Sequence, residues 1–137
     1  MVDNAVGKYE RVFAQNCEDV LRALNIGYIL RKAAAISNPQ MEVIKEHDMW
    51  TIKTSTILKT IELKFKLNEP FDEVTPDGRE VSSLVTVDGN KFICVQTAKK
   101  EGQRSTKSIR EFTEDECTVT LEVIGTDIVS VQKFRKI

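Results

Sequence analysis

The sequence contains few of the residues that build disulfide scaffolds and metal sites, and it lacks the long apolar runs of membrane spans. Only 3 of its 137 residues are cysteines, and His47 is its single histidine. An odd number of widely spaced cysteines favours free thiols, and a lone histidine has no second ligand at metal-binding spacing. No apolar run approaches the roughly 20 residues that a membrane-spanning helix needs. We therefore expect no disulfide framework, metal site, cofactor or transmembrane segment.

Charge of one sign is also lacking, because 20 basic residues face 21 acidic ones and the net charge is -1. Such a protein has no strong field for capturing nucleic acid, so no nucleic acid partner is expected. The first residues show neither the basic region nor the apolar segment of a secretory signal, which predicts a cytoplasmic protein. The length fits a single domain over residues 1–137, large enough for a core or an internal cavity.

Catalytic patterns are missing as well. The sequence shows no paired carboxylates, no nucleophile–base pair and no glycine-rich loop for phosphate. We therefore predict that the protein is not an enzyme, and a lipid hydrolase or isomerase lacks support. A pure interaction module is also disfavoured, because apolar residues are spread over many strands and not along one exposed edge.

A short helical segment interrupts the strands near the start of the chain. The first strand has Tyr9 and Phe13 in alternation, on the same face. Asn16 then fits a helix N-cap, and an apolar stripe follows at i, i+3, i+4 and i+7. We expect Gly27 to stop this helix by taking the left-handed conformation. A second helix is predicted over residues 28–35.

From residue 40 onward the pattern is that of a β protein. Alternating segments are separated by turn signals, of which Asp88-Gly89-Asn90 most resembles a hairpin turn. This gives about ten short strands, and a meander of such strands closes most simply as an up-and-down barrel. Some strands mix polar and apolar residues on one face, which a hydrated cavity tolerates better than a solid core. The mixed positions include Thr54, Thr56, Gln96, Ser108, Ser130 and Gln132. The predicted fold class is mainly β, a ten-stranded antiparallel barrel with a helix-turn-helix lid.

One predicted strand, at residues 106–112, places a cation where the barrel would bury it. Arg110 shares a face with Ser108 and Phe112, and Glu111 lies on the other face. We expect the Phe112 face to point inward, although a shift of one residue in register would put Glu111 inside instead. No carboxylate partner for Arg110 is apparent inside, and an unpaired buried arginine is costly. The strand therefore predicts an anchor for a ligand carboxylate.

Several short motifs occur in a specific order along the chain. They are Gly7-Lys8-Tyr9, Asn16-Cys17-Glu18-Asp19, Ile26-Gly27-Tyr28-Ile29-Leu30-Arg31-Lys32, Pro39, Phe65-Lys66-Leu67, Phe71-Asp72-Glu73-Val74-Thr75 and Ser108-Ile109-Arg110-Glu111-Phe112-Thr113. Together they resemble the intracellular lipid-binding proteins, a family that includes fatty-acid-binding and cellular retinoid-binding proteins. The similarity covers essentially the whole chain. It implies a ten-stranded β-clam capped by two helices, and a carrier that binds lipid in a closed cavity.

The resemblance also implies a set of ligand-binding residues. The head group would be met by Ser108, Arg110, Gln132 and Phe134. The rest of the cavity would be lined by Leu21, Ile26, Leu30, Ala34, Met41, Thr54, Thr56, Leu58, Pro76, Asp77, Arg79 and Gln96. The helix pair, Leu58 and Pro76 would form the portal. For each apolar residue, ordinary core packing is the alternative interpretation.

The last strand departs from the family's acid-binding branches, which usually carry Arg-x-Tyr there to hold the ligand carboxylate. Gln132 and Phe134 instead resemble the retinol-binding branch, whereas Arg110 is similar to the acid-binding branches. Arg11 stands at a position that is normally apolar. The leading prediction is a carrier of long-chain fatty acids, and the alternative is a carrier of a retinoid or another neutral lipid.

A basic cluster on the predicted helices, Arg22, Arg31 and Lys32, bears on the partners. By resemblance it implies nuclear import on ligand binding, and transient contact with anionic membranes or a nuclear receptor. The alternative interpretation is a solvated helix face. We expect a monomer that is cytoplasmic and, through this cluster, also nuclear.

Overall fold

Ten antiparallel strands and two short helices make up the fold in a computed structural model that describes residues 2–56, 59–75 and 78–137. The strands are β1 (Gly7–Gln15), β2 (Gln40–Glu46), β3 (Met49–Ser55), β4 (Thr60–Lys66), β5 (Phe71–Val74), β6 (Glu80–Asp88), β7 (Lys91–Ala98), β8 (Thr106–Phe112), β9 (Glu116–Val123) and β10 (Val129–Lys136). The helices α1 (Cys17–Ala23) and α2 (Tyr28–Ile36) lie between β1 and β2. The predicted fold class is confirmed. Three predicted cavity residues, Leu58, Pro76 and Asp77, lie outside the described residues.

The strands form one sheet in the order β4-β3-β2-β1-β10-β9-β8-β7-β6-β5. Pairing of β1 with β10 joins the two ends of the meander and nearly closes the barrel. β4 and β5 end the sheet, and within the described residues no ladder joins them. The backbone N–H of Asn68, in the loop between β4 and β5, donates a 2.9 Å hydrogen bond to the carbonyl oxygen of Val85 on β6. The loop therefore fastens the chain beside the gap.

An aromatic cluster fills one end of the barrel. Phe92 makes edge-to-face contacts with three rings, at centroid distances of 4.9 Å to Trp50, 5.5 Å to Phe65 and 5.7 Å to Phe112. Tyr9 extends the cluster through Phe112. A single 3-10 turn, Val2–Ala5, precedes β1 at this end, whereas α1 follows the other end of β1. The packed core and the helical lid therefore lie at opposite ends of the barrel.

A β-bulge breaks the alternation of β1. The register with β10 shifts between Arg11 and Phe13. Tyr9 is fully buried, but Phe13 is 45% exposed, with the ammonium of Lys133 lying 5.8 Å from its ring centroid. The predicted sharing of one face by Tyr9 and Phe13 is therefore wrong, because the bulge inserts an extra residue and reverses the faces that follow.

The ends of the first helix also differ from the prediction. Asn16 precedes α1 with a φ of 62° and makes no side-chain capping bond. After α1, Asn25 takes the left-handed conformation with a φ of 63°, whereas Gly27 has a φ of -64°. The stop is therefore at Asn25, a residue type that tolerates positive φ better than most. Within the described residues, neither helix is long and apolar enough to cross a membrane.

Candidate functional site

Arg110 projects into the barrel from β8. Thr106 and Phe112, which share its face, are buried, and Glu111 on the other face is exposed. The cross-strand partners of Arg110 are Phe92 on β7 and Val119 on β9, both buried. The alternative register with Glu111 inside does not occur, because Phe112 packs into the aromatic cluster.

The environment of the Arg110 guanidinium is apolar and poor in acceptors. Its Nε atom is buried and has no hydrogen-bond partner within the described residues. The thiols of Cys94 and Cys117 lie close enough for the charge of Arg110 to act on their pKa values. Burial raises the pKa of Cys94, and raises the pKa of Cys117 to about 12, while the positive charge of Arg110 acts in the opposite direction on both. Arg110 is therefore a half-buried cation whose inner nitrogen, Nε, lies among neutral groups.

A carboxylate does lie inside the barrel, contrary to the expectation from the sequence. Glu73 on β5 accepts a short hydrogen bond from the hydroxyl of Ser83 and a 3.1 Å bond from the side-chain amide of Gln96. Gln96 in turn accepts a 2.9 Å bond from the hydroxyl of Thr106. Its neutral partners hold Glu73 in a network that crosses β5, β6, β7 and β8, and no ion pair with Arg110 is found among the residues described.

A cavity of about 340 Å³ lies beneath the helices, at the end of the barrel away from the aromatic cluster. It is lined by Arg11, Ala14, Cys17, Glu18, Val20, Leu21, Arg31, Ala34, Ser37, Leu121, Ser130 and Gln132. Three of these, Leu21, Ala34 and Gln132, are among the predicted binding residues. The cavity therefore brings the inner faces of β1, β9 and β10 together with both helices.

Arg11 is one of the nine lining residues that the sequence prediction missed. Its Nη1 donates a 3.1 Å hydrogen bond to Oε1 of Gln132, and its Nη2 donates a 2.8 Å bond to the carbonyl oxygen of Ser37. The signal was present, because Arg11 lies two residues after the buried Tyr9 and so shares its face. The Arg11 side chain therefore points into the barrel. From the sequence alone, Arg11 is only a charged residue at a position that is normally apolar.

Other predicted residues lie in different environments. Met41 and Phe134 are buried in the core cluster, where other apolar side chains surround them. Thr54 and Ser108 are half-buried on inner faces, and Thr56 exchanges hydrogen bonds with Lys59.

Three further predicted residues are Leu30, Ile26 and Arg79. Leu30 is 67% exposed and is not among the described residues that line the cavity; Tyr28 and Ile29, which precede it in α2, are exposed as well. Ile26 is half-buried just before α2, and its carbonyl oxygen accepts a 2.7 Å bond from Nη1 of Arg31. Arg79 is buried, and its Nη1 donates a 2.8 Å bond to the carbonyl oxygen of Arg104.

The basic cluster on the helices is gathered around Glu18. Lys32 Nζ lies 2.9 Å from Glu18 Oε1, and Arg22 Nη2 and Arg31 Nε each lie 3.8 Å from the same oxygen. The hydrogen bond from Lys32 holds the pKa of Glu18 below its usual range. The cluster is therefore partly neutralised on its own surface, although Lys32 and Arg22 remain accessible to solvent.

Comparison with known proteins agrees with this geometry. The model of the lipocalin / cytosolic fatty-acid binding protein family matches residues 6–133. A fatty acid-binding protein of Tyrophagus putrescentiae is 38% identical over 131 residues, which are 95% of each protein. Cellular retinoic acid-binding protein 2 of Mus musculus is 37% identical over 134 residues, or 96% of each protein. The crystal structure of apo lipid binding protein 8 of Caenorhabditis elegans aligns with a TM-score of 0.95 at 27% identity, covering 100% of this chain and 98% of that one.

These relatives are lipid-binding carriers and not enzymes, and their structures share the nearly closed ten-stranded barrel with two helices. The prediction that the protein is not an enzyme is therefore confirmed. By family model and by sequence identity over nearly its full length, the chain belongs to the lipocalin / cytosolic fatty-acid binding protein family.

Proposed function

We propose that the protein carries a long-chain fatty acid, or a closely related acidic lipid, with the ligand carboxylate anchored by Arg110. The observation that carries the proposal is the buried Nε of Arg110, which has no hydrogen-bond partner among the described residues. Arg110 is half-buried as a whole, and an inner N–H group without an acceptor costs the desolvation of that group, about 1–3 kcal/mol. A ligand carboxylate removes this penalty, because it accepts two parallel hydrogen bonds from an arginine.

The aliphatic tail supplies most of the gross affinity in this proposal. Burial of each methylene contributes about 0.8 kcal/mol, so a long chain outweighs its head group. Charge-assisted hydrogen bonds contribute about 1.5–3 kcal/mol each, which is enough to select an acid over an alcohol of equal length. Arg110 therefore sets the class of head group, and the apolar walls of the interior set the affinity.

The experiment compares oleate with oleyl alcohol, which share a tail and differ in the head group. Isothermal titration measures both ligands on the wild-type protein and on Arg110→Gln. We expect Arg110→Gln to bind oleate about 10- to 100-fold more weakly and oleyl alcohol within about twofold of the wild type. Arg135→Gln is the matched control, because Arg135 is 60% exposed and pairs with Glu10 on the outer surface. Equal losses for both ligands would contradict the assignment.

A carrier of a retinoid or another neutral lipid is the second candidate. Gln132 and Phe134 favour it, because the inner face of β10 presents an amide and a phenyl ring with no formal charge. The similarity to cellular retinoic acid-binding protein 2 supports a retinoid of acidic type as readily as a fatty acid. Extraction of the purified protein followed by mass spectrometry of the bound lipid separates the two candidates. Recovery of neutral lipids alone would favour the second.

We further propose that the protein is a single domain and a monomer. Its proposed location is the cytoplasm, with entry into the nucleus. The family's description as cytosolic supports the location, and the match to its model over residues 6–133 supports one domain. Delivery to anionic membranes or to a nuclear receptor would use Lys32 and Arg22, the accessible members of the basic cluster.

A further inference from the structure

We propose that Arg11 is a second anion-binding residue, and that it holds the carboxylate of an acidic lipid in the cavity beneath the helices together with Gln132. This inference rests on the proposed function, because it assigns a further head-group contact to the same acidic ligand class. It adds a position for the carboxylate that is separate from the guanidinium of Arg110.

The hydrogen bonds of Arg11 leave much of its capacity unused. A guanidinium carries five N–H donors. Two of them reach the amide oxygen of Gln132 and the carbonyl oxygen of Ser37, both of which are neutral acceptors. Among the described residues, Arg11 forms no ion pair with a carboxylate. These neutral acceptors therefore orient the Arg11 side chain, but no carboxylate in the described part of the chain neutralises its positive charge.

The other charges that line the cavity do not correct this imbalance. Glu18 is the one carboxylate among the lining residues, and Arg31 lines the cavity as well. Glu18 is already engaged by Lys32 at 2.9 Å and by the Arg31 Nε at 3.8 Å. That Nε atom is buried and donates no hydrogen bond among the residues described, since 3.8 Å exceeds hydrogen-bond distance. The cavity therefore has a surplus of positive charge.

The remaining walls suit a lipid head group. Apolar side chains, among them Val20, Leu21 and Leu121, lower the local dielectric constant, which strengthens the attraction between Arg11 and an anion. Gln132 holds Arg11 through its amide oxygen, so its amide nitrogen is left to donate to the same ligand. An arginine and an amide side by side form a matched pair of donors for one carboxylate.

The sheet register relates this position to Arg110. Gln132 pairs with Val119, and Val119 pairs with Arg110, so the three residues form one cross-strand row. Strands are about 4.8 Å apart, which separates the backbones of Gln132 and Arg110 by about 10 Å. The interior therefore contains two arginine side chains at different places. Arg11 lies in the cavity beneath the helices, and Arg110 lies beside the aromatic cluster.

The test uses Arg11→Gln and Arg11→Lys, with oleate and oleyl alcohol as ligands and Arg135→Gln as the control for loss of an arginine charge. We expect Arg11→Gln to weaken oleate about 10-fold or more, with oleyl alcohol within about twofold of the wild type. Arg11→Lys should give an intermediate loss, because it keeps the charge and loses the planar fork. Equal weakening of both ligands, or none, would overturn the assignment. Arg11 would then have only a structural role, linking β1 to Gln132 on β10 and to Ser37 after α2.

Failure of this inference can be told apart from failure of the proposed function. If wild type does not prefer oleate to oleyl alcohol, and Arg110→Gln changes neither affinity, the proposed function fails. If Arg110→Gln loses oleate selectively and Arg11→Gln does not, only the role of Arg11 is rejected.

A measurement on the wild type covers the case in which the Arg11 variants do not fold. Cys17 lines the same cavity, and the charge of Arg11 acts on its thiol. Iodoacetamide labelling followed by peptide mass spectrometry gives the alkylation rate of Cys17 with and without oleate. We expect bound oleate to slow that rate at least about fivefold, because a head group in the cavity blocks access to the thiol. An unchanged rate with oleate bound would overturn the proposal.

Discussion

Arg110 lies directly beside Phe92, its cross-strand partner on β7, so its half-buried cation borders the aromatic core. Phe92 contacts Trp50, Phe65 and Phe112, and this packing closes one end of the barrel. On the other side of Arg110 the row continues through Val119 to Gln132 and the cavity under the helices. The barrel is thus divided between a packed half and a half that contains the cavity, and Arg110 lies between the two.

The packed half gives the first prediction. Phe92→Ala should lower the free energy of unfolding by about 3–5 kcal/mol, because it removes the ring that three other aromatics contact and leaves a cavity. Phe13→Ala removes the same atoms from a side chain that is 45% exposed, and it should cost less than about 1 kcal/mol. Urea denaturation followed by fluorescence of Trp50 measures both.

The two phenylalanines also test the β-bulge. If Phe13→Ala were as destabilising as Phe92→Ala, Phe13 would have to lie inside the barrel, and the register shift between Arg11 and Phe13 would be incorrect. Similar losses in the free energy of unfolding for Phe13→Ala and Phe92→Ala would therefore contradict the β-bulge in β1.

The sequence was sufficient for the fold and for the direction of Arg110. On β8, the alternation of side chains correctly predicted which face points inward. Phe112 marks the inner face, and the strand is regular over Thr106–Phe112. The meander, the helical insertion and the barrel were predicted for the same reason: regular periodicity and turn residues are local signals.

Features that depend on irregular or distant structure were not predictable in the same way. The bulge after Arg11 reverses the faces of β1, and nothing local to Phe13 indicates it. β5 has only four residues, which is too few for alternation to identify Glu73 as an inward carboxylate. The exposure of Leu30 depends on how α2 packs over the barrel. Helix α1 stops at Asn25, although Gly27 nearby was the stronger candidate for the left-handed conformation.

The Glu73 network gives the second prediction. Glu73→Ala should lower the free energy of unfolding by about 2–4 kcal/mol, because it leaves the amide of Gln96 and the hydroxyl of Ser83 without their acceptor. Glu73→Gln keeps one side-chain oxygen in place, so it should cost no more than about half as much. Urea denaturation measures both variants. Equal costs would show that the charge of Glu73, and not its role as an acceptor, stabilises the barrel.

Tyr9 gives the third prediction, a loss of stability at alkaline pH. Its hydroxyl donates a 2.8 Å hydrogen bond to the carbonyl oxygen of Ala5, and burial raises its pKa from 10.0 to about 12. Because the raised pKa belongs to the folded state, the stabilisation is complete below pH 10 and declines as the pH rises towards 12. At pH 11 the unfolded protein gains about 1.4 kcal/mol from ionisation of Tyr9, whereas the folded protein gains almost nothing.

Tyr9→Phe isolates this effect, because the other titrating groups are common to both proteins and cancel in the difference. Below pH 10 the wild type should be more stable than Tyr9→Phe by about 1 kcal/mol, the net value of the hydrogen bond. By pH 11 that advantage should disappear, since ionisation of the unfolded wild type offsets it. Urea denaturation at intervals from pH 8 to pH 11 gives the free energy of unfolding of each protein. A difference that stays constant over this range would mean that Tyr9 ionises as readily in the barrel as in water, and that its burial against the 3-10 turn is wrong.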